Sequence, residues 1–518
     1  MAELILDGES LSIDALAEIS ALALDPKAKL RLRVAGKAQK KIRDAERFLN
    51  KLARSGETVY GLNTGFGYFA KTRIKPNEIE QLQRNIIRSH ACGVGEELPR
   101  DLVLAMWLVL LNSVCRGHRG LSLSKLDTIL RGLEAGILAC VPARGSVGAS
   151  GDLAPSAHAV LATIGEGECT VPSGKGFARV KAGAALQKAG LTPIVLGPEG
   201  RALPHQRHTA HRRDGRQALA RKRPAAEDRQ PRRRDDDRSA ARLPPRHRRT
   251  AAARAAPARH WECGKEIASY LGDTEIARSH AECGRVQDAY SLRCAPQVHG
   301  MVWDELASTK EILEREINAT TDNPLLFPDR GEVIHGGNFH AIYPARACDR
   351  LGMALATLAS ISERRTNSAM RRRNPACRPS SSRTAALNSG LMMIQTTAAA
   401  LVSECKSLSF PASVDSIPTN NDQEDHVSMG PGAGLKALKI AEHARYVIAI
   451  ELYVAAQALD MLKPLKSSPQ LEKVRAKIRK KVPYLKHDRI LSPDVEAICA
   501  MVKSGELFPK KISVSDPP

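Results

Sequence analysis

Residues 436–463 carry an apolar stripe and contain no proline; Pro464 ends the run. A helix of that length hides its apolar face only against other long helices, so the segment commits the chain to a bundle. Residues 262–318 and 385–408 read as long helical stretches as well. Nearer the start, Ile42, Ala45, Phe48, Leu49 and Leu52 recur on one face of residues 37–54, with Lys and Arg on the other, and Ser55-Gly56 stops the run. Residues 78–92 and 101–115 also look helical, and strand signals are few. The expected fold is mainly α: a long central helical bundle joined to an N-terminal domain. A length of 518 residues has room for both.

Several function classes drop out early. The longest apolar run, Leu102 to Leu111, is half of what a bilayer requires and reads as a buried helix. The opening MAELILDGES is acidic and lacks the basic start of a secretory signal. Eleven cysteines lie scattered without a CxxC, which suggests reduced thiols and a cytoplasmic setting. Cys283 and Cys294 are the nearest approach to metal spacing, and no metal site is expected.

A net charge of +22 invites a nucleic-acid reading until the charge is mapped. Residues 201–260 hold 18 Arg, 1 Lys and 6 acids, a net of +13. Residues 366–383 hold 5 Arg and no acid, which leaves +4 for the rest of the chain. Both patches are poor in core-forming residues, and the first has three Leu as its only large aliphatics. A disordered basic arm, a solvated linker and a stretch read in the wrong translation frame all produce such composition. Abrupt edges within regular helical sequence favour the frame error. No aromatics interleave with the charge as a stacking surface for nucleic acid would need, so no nucleic-acid partner is expected. The division that follows is 1–200, an anomalous segment 201–260, and 261–518 with a second anomaly at 366–383.

Between Val141 and Pro155 the chain reads VPARGSVGASGDLAP, a tight irregular loop of small residues, and a helix resumes from Ser156 to Ile164. A second glycine-rich loop is Tyr60-Gly-Leu-Asn-Thr-Gly-Phe-Gly67. GSVGASGDLAPSAH, around Ala149-Ser150-Gly151, resembles the aromatic amino acid ammonia-lyase family. In that family the tripeptide cyclises to 4-methylideneimidazol-5-one (MIO). The resemblance implies attack of the Gly151 amide nitrogen on the Ala149 carbonyl carbon and loss of the Ser150 hydroxyl as water. Small neighbours leave room for the approach, and glycine permits the backbone. The product is an electrophile, which no ordinary side chain supplies. A β-proton beside an aromatic ring is barely acidic and an amine leaves poorly. Such a reaction therefore needs the electrophile, a base, and a fixed cation for the substrate carboxylate.

The same resemblance assigns the remaining parts. Tyr60 matches the family's catalytic tyrosine. QDAYSLRCAPQVHG (287–300) supplies Tyr290, a second active-site tyrosine, and Arg293, whose forked donors suit a carboxylate. Gln287 would lie one turn from Tyr290 if this stretch is helical. TTDNPLLF with Asn323 and GGNFHA with Phe339 resemble pocket-lining segments, although Asn323 also reads as a turn residue before Pro324 and Phe339 as an ordinary core residue.

Two positions bear on the substrate. His90, in LQRNIIRSHACGVG, stands where family members sense the ring, and Glu424 lies in NDQEDHVSM. QEDHVSM resembles the histidine-acting branch. A carboxylate can accept an imidazole N–H, whereas facing a phenyl ring it would be a costly unpaired charge. Implied are L-histidine as substrate, trans-urocanate and ammonia as products of the first step of histidine breakdown, no dissociable cofactor, and a homotetramer with shared active sites. A phenylalanine or tyrosine lyase or aminomutase is the alternative within the family, and an inactive frameshifted remnant is the alternative outside it. One departure stands out. Where the family continues Gly-Leu-Ala-Leu-x-Asn-Gly after GPEG (197–200), this chain reads Gly200-Arg-Ala-Leu-Pro-His-Gln-Arg207, with no Asn to support the prosthetic group.

Overall fold

The structure, a computed structural model, describes residues 2–55, 74–75, 78–148, 153–196, 258–279, 287–370 and 388–508. The chain forms two compact units. The first holds Met1–Arg216, Thr309–Asp349 and Pro411–Leu435, and the second Gln217–Ser308, Arg350–Phe410 and Lys436–Pro518.

In the first unit, β1 (Ala2–Leu6) and β2 (Leu30–Val34) pair in parallel around α1 (Ile13–Ala21). Helix α2 (Gly36–Ser55) follows, and its predicted face is buried at Ile42, Ala45, Leu49 and Leu52. Next come α3 (Ile79–His90), β3 (Val94–Glu97), α4 (Arg100–Val114) and α5 (Leu123–Glu134). Every residue of α4 from Asp101 to Val114 is buried, as expected of a helix apolar on all sides. Each large aliphatic side chain buried there contributes about 1.5–3 kcal/mol. Strands β4 (Leu138–Ala139) and β5 (Pro142–Arg144) lead to α6 (Leu153–Thr163), then β6 (Glu168–Ser173), β7 (Gly176–Lys181) and α7 (Ala182–Lys188). Sheet order is β4-β6-β7, with β3-β5 as a separate antiparallel pair.

Two expectations about 141–164 change. Part of the glycine-rich loop is a strand, because β5 finds a partner in β3, with Val94 opposite Arg144 and Glu97 opposite Pro142. The helix begins at Leu153 rather than Ser156.

The second unit starts with α8 (Ala258–Leu271), α9 (Glu275–Ser279), the single turn α10 (Tyr290–Arg293) and α11 (Ala295–Ile317). The stretch 262–318 is thus several helices, not one. Helix α11 ends in the first unit, where β8 (Leu325–Phe327) and β9 (Glu332–Ile334) form a hairpin; Leu326 packs on Leu49 and Leu52. Helices α12 (Ile342–Met370), α13 (Met392–Leu408), α14 (Gly430–Met461), α15 (Pro469–Lys481) and α16 (Ser492–Ser504) complete the chain. Within the second unit, Val447, Ile450 and Val454 of α14 repeat at helical spacing and meet Ile478, Ile498 and Met501. Gly352 lets α12 approach α14, since a Cβ there would come within 3.1 Å of Ile440.

The structure describes one end of each anomalous patch. Most of 201–260 lies outside the described residues, but Ala258–His260 open α8. Arg259 is buried there and pairs with Glu262 at 3.1 Å. Of 366–383, Thr366–Met370 continue α12; Thr366 is buried and Met370 packs on the core, and 371–383 lie outside the described residues. Among the described residues no helix is long and apolar enough to cross a membrane, and no group of three metal-ligating side chains occurs.

Candidate active site

Tyr60, Ala149, Ser150 and Gly151 lie outside the described residues. What the structure describes is how the flanks of the tripeptide are held. Val147 accepts a hydrogen bond from the Met429 amide at 2.9 Å, and Gly148 accepts one from the buried Ser428 hydroxyl at 3.1 Å. On the far side the chain enters α6 directly at Leu153. Gly145 lies against Gly93, whose Cα would be 3.1 Å from a Cβ at Gly145, and its φ of +128° suits glycine alone. Anchored ends and small residues between them fit a tripeptide that must cyclise on itself.

The segment that grips this loop is NDQEDHVSM. Thr419 and Glu424 face each other across an antiparallel bridge, exchanging backbone bonds of 3.1 and 3.3 Å. The Thr419 hydroxyl also donates to Glu424 Oε2 at 2.7 Å. Asn420, Asn421 and Asp422 between them have φ of 54°, 53° and 61°. Left-handed backbone costs about 1–3 kcal/mol at an ordinary residue and least at Asn and Asp, which is why this sequence can close so tight a hairpin. Glu424 is half-buried among exposed neighbours. Two residues on, His426 Nδ1 lies 3.2 Å from His340 Nε2, with the rings stacked at 5.3 Å.

The first unit also carries Phe339, Asn323 and His90. Phe339, half-buried, precedes His340. Asn323 Oδ1 accepts the Gly336 amide at 3.0 Å. Behind Asn323, the fully buried Arg119 pairs with Asp322 at 3.2 Å and donates to the Thr321 carbonyl at 3.0 Å. His90 closes α3, its Nδ1 2.7 Å from the Ile86 carbonyl. The turn after it is fixed by His158 of α6, whose Nε2 accepts the Gly93 amide at 3.1 Å; burial lowers the pKa of His158 and so favours this neutral acceptor form.

The second unit carries Gln287, Tyr290 and Arg293, all exposed. Gln287 is not on a helical turn with Tyr290, because α10 begins only at Tyr290 after the extended Ala289. Its side chain turns to Arg293 instead, with Nη1 donating to Oε1 at 2.5 Å. The guanidinium also sits 5.6 Å from the centre of the Tyr290 ring.

Sequence reasoning missed Arg119, His340, Thr419, His426 and Ser428. His340 lies in GGNFHA, and His426 and Ser428 lie in QEDHVSM, so the signal for these three was available. Thr419 and Ser428 act through a hairpin and a loop contact that no periodicity encodes.

With that geometry in hand, the sequence profile described as aromatic amino acid lyase matches residues 11–204 and 240–480. The chain belongs to the aromatic amino acid lyase family. It is therefore a carbon–nitrogen lyase, in a family known to use MIO. A histidine ammonia-lyase from Anaeromyxobacter sp. (strain K) is 42% identical over 514 residues, spanning 98% of this chain and 100% of that protein. The solved structure of histidine ammonia-lyase from Trypanosoma cruzi matches with a TM-score of 0.81 at 33% identity, over 98% of this chain and 94% of that one. Pantoea agglomerans phenylalanine aminomutase superposes equally well, with a TM-score of 0.82 at 25% identity over 97% and 99% of the two chains. The lyase fold alone therefore does not choose the substrate. The family match also resumes at 240 and runs through 366–383, so only 205–239 separates the matched ranges.

Proposed function

We propose that this chain eliminates ammonia from L-histidine to give trans-urocanate. Glu424 carries the reading. It is a half-buried carboxylate held by a hydroxyl, in a segment bonded to Gly148 at the edge of the tripeptide. Such a group gains from an imidazole N–H and loses against a phenyl ring, where its desolvation goes uncompensated.

An MIO group formed from Ala149-Ser150-Gly151 would supply the electrophile that turns the substrate amine into a better leaving group. The rest falls to side chains. Arg293 forks onto the substrate carboxylate, and Tyr60 accepts the β-proton. Tyr290, Gln287, His90, Asn323 and Phe339 line the pocket and orient the substrate. In the same reading the working form is a cytoplasmic homotetramer whose sites draw on several subunits, and residues 1–200 form the MIO-bearing domain.

Adding L-histidine to the purified chain should raise the near-ultraviolet absorbance of urocanate. Ser150→Ala should lower the rate by on the order of 10³ or more, because it removes the precursor of the electrophile. Folded protein that makes no urocanate overturns the proposal.

A second reading concerns the gene. Residues 205–239 match nothing in the family profile, and no Asn stands between Gly200 and Arg207. If another reading frame across codons 201–260 restores an Asn-Gly segment and an apolar helix, the chain is a frameshifted remnant of an active lyase.

A further inference from the structure

The hairpin around Glu424 is more constrained than a loop that merely carries an acid. Three consecutive left-handed residues, Asn420 to Asp422, bring Thr419 directly opposite Glu424. Strain kept at a site calls for something that it secures. Here the two strands exchange both backbone hydrogen bonds, and the side chains add a third, from Thr419 Oγ1 to Glu424 Oε2 at 2.7 Å. Thr419 and Glu424 are half-buried, whereas Asn420 to Gln423 between them are exposed. The constraint therefore concentrates on that one pair.

We propose that Thr419 is the positioning residue for Glu424, fixing its carboxylate so that an imidazole-bearing amino acid meets an acceptor already in place. This rests on the reading that Glu424 contacts the substrate ring. The chemistry favours threonine. A β-branched side chain has a stiff χ1, so the hydroxyl does not wander. A hydroxyl donating to an ionised oxygen makes a charge-assisted bond, stronger than a neutral one. A glutamate left to itself loses rotamer freedom each time a ligand binds, and that cost subtracts from affinity and orientation. Thr419 removes the cost before the substrate arrives.

The test is a cycle of Thr419→Val, Glu424→Gln and the double variant, with Thr419→Ser beside it. For each, kcat and KM are measured with L-histidine and the thermal melt is recorded. Glu424→Gln should reduce kcat/KM by more than about a hundredfold, and Thr419→Val by about ten- to a hundredfold, the range of one hydrogen bond to a charged group. Thr419→Ser, which keeps the donor, should stay within about threefold of the parent. The double variant should be no worse than Glu424→Gln, because Thr419 has no effect left to exert once the carboxylate is gone. Full activity in Glu424→Gln sinks the substrate reading itself. A drop in Glu424→Gln with an unaffected Thr419→Val, or with losses that multiply in the double variant, overturns the positioning role alone. If Thr419→Val does not fold, Thr419→Cys keeps nearly the same shape with a weak donor and is read in its place. A Thr419→Cys chain as active as the parent overturns the proposal.

Discussion

Glu424 and Arg293 are the two charged groups assigned to opposite ends of one substrate, and they are held in opposite ways. Glu424 is half-buried in a strained hairpin that donates a hydroxyl to it and is bonded to Gly148. Arg293 is exposed on a helix of one turn, and its partner is another exposed side chain, Gln287. A carboxylate that must recognise one ring needs a fixed direction. A guanidinium that must grip any amino acid carboxylate needs reach, and its planar fork supplies the directionality. Selectivity is therefore expected to reside in the rigid half and general amino acid binding in the loose half.

The largest effect should come from the frame behind the rigid half. Arg119 is fully buried and pairs with Asp322, next to Asn323. Burial lowers its pKa, and the charge of Asp322 opposes that shift. Arg119→Met leaves the buried Asp322 without the Arg119 charge and should destabilise the protein by about 3–5 kcal/mol, read as a lower denaturation midpoint. Adding Asp322→Asn should restore much of the loss. If Arg119→Met melts like the parent, the rigidity of this half does not come from its buried ion pair.

Six residues past Arg293, on α11, stands His299. His299 is half-buried, its Nε2 lies 3.3 Å from Arg365 Nη1, and Arg365 also donates to Glu451. An arginine only donates, so this imidazole is neutral and accepts. Burial, reinforced by the Arg365 charge, pushes its pKa down to about 4 from 6.5. A histidine depressed in the folded state stabilises the fold above its unfolded pKa, and that stability fades as pH falls from 6.5 toward about 4. The loss attributable to His299 should reach about 3 kcal/mol at the acid end. The melting temperature of His299→Gln should therefore depend less on pH over that window than the parent's. Equal slopes would remove His299 as the source.

Sequence alone made the helical parts legible. The apolar stripe in 436–463 foretold α14, and the face through Ile42 and Leu49 foretold α2, because helical burial repeats within one segment. Thr366 and Arg259 are polar yet buried, and composition does not record burial of a polar group beside a partner. Strand β5 was hidden because its partner β3 is distant in the chain. Motifs pointed to Glu424 but not to the Thr419 hydroxyl that holds it, since the hairpin depends on backbone angles at Asn420 to Asp422.

The smallest effect is the most direct test of the contrast. Gln287 would have stood one turn from Tyr290 had the stretch been helical, yet it precedes the helix and takes up one guanidinium nitrogen of Arg293. Both side chains are exposed, where such a contact adds little because water competes for the same donors. Gln287→Ala should therefore raise the KM for L-histidine by about three- to tenfold and leave kcat nearly unchanged, since the guanidinium keeps its charge and loses only its resting direction. The same substitution should raise the KM for a histidine analogue with an altered ring by the same factor, because the partner of Gln287, Arg293, is assigned to the carboxylate and not to the ring. A loss of a hundredfold or more, carried by kcat, would mean that Arg293 is held as strictly as Glu424. The division into a selective rigid half and a permissive loose half would then fail.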